Sequence, residues 1–172
     1  HDTLSRWIEA GAPFGPRAPL PPQVLARVGE WEALLNGNSL RDQLAARYIY
    51  EHWFIGQLYL DDKHEHRFEL VRSRSAPGQP IDVIATRRPY DDPGVARVYY
   101  RLRPTDETLV AKTHMPLALD EARRARLKKW FFDAPISVDR LPGYDPKTAS
   151  NPFAAFKALP VDARYRFMLD DA

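Results

Sequence analysis

One segment, residues 39–62, constrains the possible folds more than any other, because it predicts a long helix with apolar bulk on nearly every side. Ser39 can cap this helix with Asp42 at its third position, and Asn36-Gly37 ends any helix before it. At about 1.5 Å per residue the helix would be on the order of 30 Å long. Its apolar and aromatic residues include Leu40, Leu44, Tyr48, Tyr50, Trp53, Phe54, Ile55 and Tyr59. We therefore expect other elements of the chain, or something outside it, to bury this helix.

Composition excludes several classes of protein and site. The 25 basic and 23 acidic residues leave a net charge of only +2. The net charge therefore gives no reason to expect a nucleic-acid partner. The chain contains no cysteine, which excludes disulfides, thiolate metal sites and covalent haem attachment by its own residues. It has no apolar run approaching about 18 residues and no signal-peptide pattern at the start. Because it also begins with His, we expect a processed or excised piece of a longer protein.

The first 22 residues predict a boundary between two units. Asp2 and Thr3 can cap a short helix that Gly11 ends, and its L-x-x-W-I-x-x-G-A pattern resembles the closing helix of c-type cytochrome domains. Residues 13–22 hold five prolines and a glycine, which is typical of an extended linker. We therefore expect residues 1–12 to end a preceding cytochrome c-like domain and residues 13–22 to form a Pro-rich linker. Residues 23–172 should form a single domain that continues past the C-terminus.

The patterning of residues 23–172 predicts an α+β fold, with helices packed on one small antiparallel sheet of three to four strands. Helical spacing over 24–35, followed closely by the 39–62 helix, predicts an antiparallel helical hairpin. β-Branched and aromatic residues predict strands over 68–75, 81–90 and 95–103, with a fourth over 108–113. Further helices are predicted over 121–132 after Asp120, over 152–158 after Asn151, and over 161–169.

Arginines concentrate in the predicted strands. In the third strand Arg97, Arg101 and Arg103 alternate with apolar residues, which gives one apolar and one cationic face. Together with Arg87 and Arg88 of the second strand, such a face could bind phosphate groups. The alternative is a solvated face on which these cations form ion pairs with nearby carboxylates.

Two histidine positions are candidates for chemistry. His52 lies within the apolar stripe, where it is either a core histidine hydrogen-bonded to a backbone or tyrosine group, or a ligand or proton-transfer residue. His114 and Met115 follow the predicted fourth strand. There Met115 can present its thioether to a haem iron as an axial ligand, or fill a gap in the core.

Other motifs point to no particular enzyme class. His64-Glu65-His66 carries side chains that can bind a metal, but a third ligand is not visible nearby, and solvated charge is the better interpretation. The chain holds no G-x-S-x-G motif, no phosphate-binding glycine loop and no H-E-x-x-H motif. The residues alone therefore predict an α+β piece with a cationic sheet.

Long blocks of this sequence resemble the bacterial fatty acid cis/trans isomerase family over roughly residues 36–172. The blocks are SLRDQLAARYIYEHWF, RFELVRSRSAPGQPIDVIATRRPYDDPG, RVYYRLRP, VAKTHMPLALD and NPFAAFKALPVDARYRFMLDDA. The resemblance implies a periplasmic protein of cytochrome c type that converts cis double bonds in membrane phospholipid acyl chains to trans during solvent or heat stress. The family's haem attachment motif, C-x-x-C-H, has no counterpart in this cysteine-free chain. The resemblance therefore implies that the haem c segment belongs to the remainder of the parent polypeptide, or that this piece is not active alone.

The resemblance also implies roles for particular residues. An oxidised haem iron would withdraw electron density transiently from the cis double bond, which permits rotation to trans. The helix around His52, with Tyr48 and Trp53, would line the acyl channel or haem pocket, and Met115 or His114 would approach the iron. Arg87 and Arg88 would hold the lipid phosphate. The rival hypothesis is a non-catalytic lipid- or partner-binding module that uses the cationic sheet face.

Overall fold

The computed structural model describes residues 2–12, 19–60, 65–105 and 115–172, and in them the chain has the predicted α+β architecture. In chain order the elements are α1 (Asp2–Glu9), α2 (Pro22–Leu35), α3 (Leu40–Trp53), β1 (Gly56–Tyr59), β2 (Arg67–Ser73), β3 (Tyr99–Thr105), β4 (Met115–Ala118), α4 (Glu121–Leu127), a π-helical turn (Lys128–Phe132), α5 (Pro146–Ala149), α6 (Pro152–Ala155) and α7 (Val161–Asp170). None of the helices among these residues is long and apolar enough to cross a membrane.

The sheet is mixed, which corrects the predicted antiparallel sheet. Its strand order is β3-β2-β1-β4, and β2 runs antiparallel to both of its neighbours. β4 instead pairs in parallel with β1, with Leu58 opposite Leu117. The predicted strand over 108–113 lies outside the described residues, and β4 begins at Met115.

The predicted helix over 39–62 is too long, because α3 ends at Trp53 and Gly56–Tyr59 form the central strand β1. Its start is confirmed, since the Ser39 hydroxyl accepts a hydrogen bond from the Asp42 backbone N–H at 3.0 Å. Glycine permits the change from helix to strand: a Cβ at position 56 would lie 3.0 Å from Leu117 Cδ1 and 3.1 Å from the Trp53 carbonyl oxygen. Leu58 and Tyr59 are therefore buried as sheet residues.

The predicted strand over 81–90 is also wrong. The segment pairs with β2 only through a bridge between Val83 and Ser73. Beyond it the polar groups bond locally: Asp91 accepts from the Arg88 backbone N–H at 2.9 Å, and Thr86 donates to the Arg88 carbonyl at 2.8 Å. Such side-chain bonds compete with a strand ladder, so the segment forms a loop.

α3 lies at the centre of the core, which confirms the expectation that it is buried on most sides. Leu44, Ile49 and Trp53 are each at most 1% exposed. Around α3 pack α2, the sheet, the π-helical turn, the C-terminal end of α6 and α7. Their core residues include Trp31, Leu58, Phe68, Leu70, Leu102, Phe131, Phe156 and Phe167.

The remaining predicted helices are present. Asp120 accepts from the Arg123 backbone N–H at 2.6 Å, and Asn151 accepts from the N–H groups of the first turn of α6. α1 ends before Gly11, whose φ of +84° favours glycine. α1 has no buried residue. The predicted boundary between residues 1–12 and the rest stays a prediction.

Candidate functional site

α3 presents two pairs of polar or aromatic side chains, each four residues apart. Residues at this spacing share one helical face, and adjacent residues point about 100° apart. Tyr48 and His52 therefore form one face, whereas Arg47 and Glu51 form another. We call these the histidine face and the arginine face.

On the histidine face, His52 is hydrogen-bonded in a way that fixes its tautomer. Its Nδ1 lies 2.7 Å from the Tyr48 carbonyl oxygen, an acceptor, so Nδ1 carries the proton. Burial lowers the pKa of His52, and the bond to the Tyr48 carbonyl opposes that shift. The ring is therefore neutral at pH 7 with a lone pair on Nε2. Nε2 makes no hydrogen bond to another residue in the described part of the chain.

The geometry of His52 agrees with both interpretations made from the sequence, a core histidine and a ligand. The ring is half-buried and bonded to the backbone, as expected of a core histidine. Metal-binding histidines also commonly donate their second ring N–H to a carbonyl or carboxylate, which orients the ring and leaves the other nitrogen for the metal. His52 therefore has the arrangement of a ligand whose partner would come from outside the described residues.

An aromatic cluster surrounds the His52 ring. The Tyr48 ring lies 4.3 Å from it and the Phe167 ring 5.5 Å from it, measured between centroids. Tyr48 also contacts Phe131 at 5.6 Å and Phe156 at 4.9 Å. Burial raises the pKa of Tyr48 to about 12, so its phenol stays neutral. The cluster gives His52 an apolar, rigid setting.

Tyr48 and Trp53, the predicted substrate-binding residues, are both buried within this cluster. Tyr48 is 3% and Trp53 1% exposed. The Trp53 indole N–H donates to the Asp171 carbonyl oxygen at 2.6 Å, and its ring stacks on Phe167. The two residues therefore form the wall behind His52 and do not reach the surface.

On the arginine face, the Arg47 guanidinium is buried and contacts three residues, one on its own helix and two in a single loop. Nε donates to Glu51 at 2.7 Å, Nη1 donates to the Pro142 carbonyl at 2.9 Å, and the group lies 4.0 Å from the Tyr144 ring centroid. Nη2 is buried and has no hydrogen-bond partner among the residues that the structure describes. Burial raises the pKa of Glu51, while its bond to Arg47 and the charges of Arg47 and Arg72 oppose that rise.

The arginine face continues into the sheet through a second buried arginine. Arg72, on β2, donates to the Asp91 carbonyl at 2.8 Å and to the Thr86 hydroxyl. Its guanidinium lies 5.4 Å from the Tyr50 ring centroid, and its Nε has no hydrogen-bond partner in the described part of the chain. Burial raises the pKa of Tyr50, Tyr100 and Tyr144. Two cations and several neutral phenols thus lie close to one carboxylate, Glu51.

Sequence reasoning missed the arginine face, although a signal was present. A helix with apolar bulk on nearly every side must also bury its charged residues, and Arg47 and Glu51 have the spacing of an ion pair. Buried charges are paired. The pattern could therefore have predicted a buried pair at these two positions.

Most sheet arginines have partners, as the ion-pair interpretation expected. Arg101 pairs with Glu32 at 2.8 Å in the interior, Arg74 pairs with Asp82 at 3.2 Å, and Arg103 pairs with Glu69.

The predicted phosphate ligands differ in their contacts. Arg88 pairs with Asp91 at 2.8 Å. Arg87 is exposed, with no hydrogen bond or ion pair to another described residue. Arg87 is thus the more available of the two.

Of the other predicted ligands, Met115 lies among the described residues. Met115 is half-buried at the start of β4 and packs against the core. His114 and His64 lie outside the described residues. Within the described ranges, no group of three or more His, Cys, Asp or Glu side chains could hold a metal ion.

One cavity borders the arginine face at Arg47, and a larger cavity lies next to it. The larger, of about 630 Å³, lies between the 137–143 loop and α5 and α6, with Leu44, Arg140 and Lys157 among its lining residues. The smaller, of about 60 Å³, is lined by Arg47, Tyr144 and several apolar residues. Leu141 and Pro142 line both.

Comparison with known proteins gives a family for this chain. No curated protein and no solved structure matches it. The family model described as fatty acid cis/trans isomerase (CTI) matches residues 1–172. This match covers the whole chain and agrees with the resemblance carried by its sequence blocks. The chain therefore belongs to the fatty acid cis/trans isomerase family.

Proposed function

We propose that this chain is part of a periplasmic, haem-dependent isomerase that converts cis to trans double bonds in the acyl chains of membrane phospholipids. The observation that carries the proposal is the family match over residues 1–172. That match supports a role related to fatty acid isomerisation. The haem, the compartment and the phospholipid substrate are the further steps of the proposal.

The geometry of the histidine face supports the haem part of the proposal. The chain has no cysteine, so another part of the parent polypeptide would hold the haem covalently. His52 would contribute Nε2 as a ligand, since Nδ1 is held by the Tyr48 carbonyl. The chemistry that a bound haem supplies is transient withdrawal of electron density from the cis double bond.

The remaining residues would prepare the surroundings of that reaction. Tyr48, Trp53 and Phe167 form a buried aromatic wall that excludes water from one side of His52. Arg87, which has no described partner, would bind the lipid phosphate, and Arg88 would do so on releasing Asp91. Met115 and His114 stay candidates for approach to the iron.

The activity is tested on membranes of cells with and without the parent gene. After solvent shock, gas chromatography of the membrane fatty acids should show trans double bonds only in cells that carry the gene. A strain with the gene restored on a plasmid is the control, and it should recover the trans fraction. Equal trans content in all three strains would remove the isomerase proposal.

The role of His52 is tested in the full-length protein by His52→Ala. We expect a changed haem absorption spectrum and a loss of trans-lipid yield, because an iron ligand sets both. His66→Ala, which changes a histidine next to β2, should leave both unaltered. Unchanged spectra and yield in the His52 variant would contradict the ligand role.

The alternative function is a non-catalytic lipid- or partner-binding module with a cationic sheet face. Its support is weakened by the ion pairs of Arg74, Arg88, Arg101 and Arg103, which neutralise much of that charge. The isomerase is therefore the function that we propose.

A further inference from the structure

The Arg47 guanidinium has unused hydrogen-bonding capacity in the interior. It is 5% exposed, and Glu51 and the Pro142 carbonyl occupy only Nε and Nη1. The two N–H groups of Nη2 have no partner in the described structure. A buried donor left unpaired is destabilising, so such groups normally meet an acceptor.

The guanidinium is also held rigidly before any ligand arrives. Its central carbon lies 4.0 Å from the Tyr144 ring centroid and 5.8 Å from that of Phe156. Contacts with aromatic rings and the two hydrogen bonds fix its orientation. A fixed guanidinium binds a carboxylate or phosphate with little loss of side-chain freedom.

The electrostatic surroundings favour an anion. Glu51 is the one carboxylate that ion-pairs with Arg47 within the described ranges, and the charge of the second buried arginine, Arg72, also acts on it. Burial raises the pKa of Tyr100 and Tyr144, so their phenols stay protonated and can donate hydrogen bonds.

The smaller cavity provides the space for that anion. Its lining includes Arg47, Gln43, Tyr100 and Tyr144, and its volume is about 60 Å³. A water-sized group needs roughly 10–15 Å³ on this measure, so the space suits a group of a few heavy atoms. The apolar part of the same lining comes from Val95, Ala96, Val98, Leu141 and Pro142.

We propose that the cavity at Arg47 binds an oxyanion, a carboxylate or a phosphate, carried on an aliphatic chain that lies against the apolar residues Val98 and Leu141 of the same lining. The proposal of an oxyanion site is based on the burial, orientation and unpaired Nη2 of the Arg47 guanidinium in the described structure. The identification of its ligand as a lipid rests on the proposed function.

The test is isothermal titration calorimetry of the purified full-length protein with four probes: octanoate, acetate, inorganic phosphate and 1-octanol. We expect octanoate to bind at least tenfold more tightly than acetate or phosphate, because only octanoate has both the oxyanion and the chain. Octanol should bind weakly, because it lacks the charge. Phosphate binding as tight as that of octanoate would support the oxyanion site and overturn the lipid identification.

Two variants locate the site. Arg47→Gln should weaken octanoate binding at least tenfold. Because removal of a buried arginine can unfold the protein, Ala96→Phe provides a second route, since Ala96 is exposed, lines the smaller cavity and leaves the Arg47 ion pair intact. Ala85→Phe makes the same change at an exposed alanine on a different cavity and should leave octanoate binding unaltered.

Octanoate affinity that survives Ala96→Phe, or no octanoate binding at all, would overturn the site. Neither result depends on isomerase activity, which is read from the trans-lipid content of cells. Failure of the oxyanion site and failure of the isomerase proposal are therefore distinguishable.

Discussion

The two faces of α3 are both buried, but they bury different kinds of side chain. The histidine face packs rings against rings, and its two ionisable side chains, Tyr48 and His52, stay neutral. The arginine face instead buries charge, with Arg47 paired to Glu51 and bonded to a carbonyl 95 residues away. The comparison teaches that one helix can carry a dry, uncharged surface and a charged interior only about 100° apart. Each face then suits a different ligand chemistry.

The largest expected effect is on the packing of the histidine face. Phe167→Ala should lower the free energy of unfolding by about 4 kcal/mol, because the ring is fully buried and its loss leaves a cavity. Urea denaturation measures the change. Tyr165→Ala, on the exposed side of the same helix, should cost less than about 0.5 kcal/mol. Similar losses in both variants would mean that aromatic packing does not hold this face.

The arginine face should respond to loss of charge at constant shape. Glu51→Gln should cost about 3 kcal/mol, because it leaves the buried Arg47 charge without its carboxylate. Glu121→Gln removes the exposed pair with Arg124 and should cost less than about 0.5 kcal/mol. If the two substitutions cost the same in urea denaturation, the arginine face does not depend on its ion pair.

Both faces depend on where α3 begins. Ser39→Ala should cost about 1 kcal/mol, because the Asp42 backbone N–H loses its acceptor. Ser39→Asp keeps an acceptor and should restore most of the stability. If Ser39→Asp is as unstable as Ser39→Ala in thermal unfolding, the cap is not the source of the loss.

The smallest expected effect concerns His52 and the pH dependence of the free energy of unfolding. Burial lowers the pKa of His52 below its ordinary 6.5, so the folded protein binds this proton less readily than the unfolded chain. The contribution of neutral His52 to the free energy of unfolding is complete above the pKa of His52 in the unfolded chain. It is lost as the pH falls through the pKa of His52 in the folded protein. Between about pH 7.5 and about pH 5 the wild type should therefore lose more stability than His52→Gln.

Urea denaturation at several pH values measures that difference. Tyr165→Gln, an uncharged change on the exposed side of α7, is the control. Its free energy of unfolding should change with pH as steeply as that of the wild type. Equal slopes for the wild type and His52→Gln would contradict a lowered pKa for His52.

The candidate site could be predicted only in part, and the reason lies in how far apart its partners are. His52 was recognisable because a histidine in an apolar stripe needs a partner, and that partner, the Tyr48 carbonyl, is four residues away. Tyr144 and the Pro142 carbonyl, which hold Arg47, come from a loop with no regular pattern. Periodicity within α3 carries no information about that loop.

The sequence by itself determined the features that depend on a few neighbouring residues. Ser39 begins α3, Asp120 begins α4 and Asn151 begins α6, because each side chain bonds to backbone N–H groups within its own first turn. The α+β class follows likewise from local patterning.

Only the tertiary structure decided where α3 stops, how β4 pairs and which charges are buried. Gly56–Tyr59 become a strand because β2 and β4 supply hydrogen bonds on both sides, and β4 lies 59 positions further along the chain. Arg47 is buried because remote groups, including the Tyr144 ring, replace the water that it loses. These outcomes depend on partners brought together by folding, which the pattern of one segment does not contain.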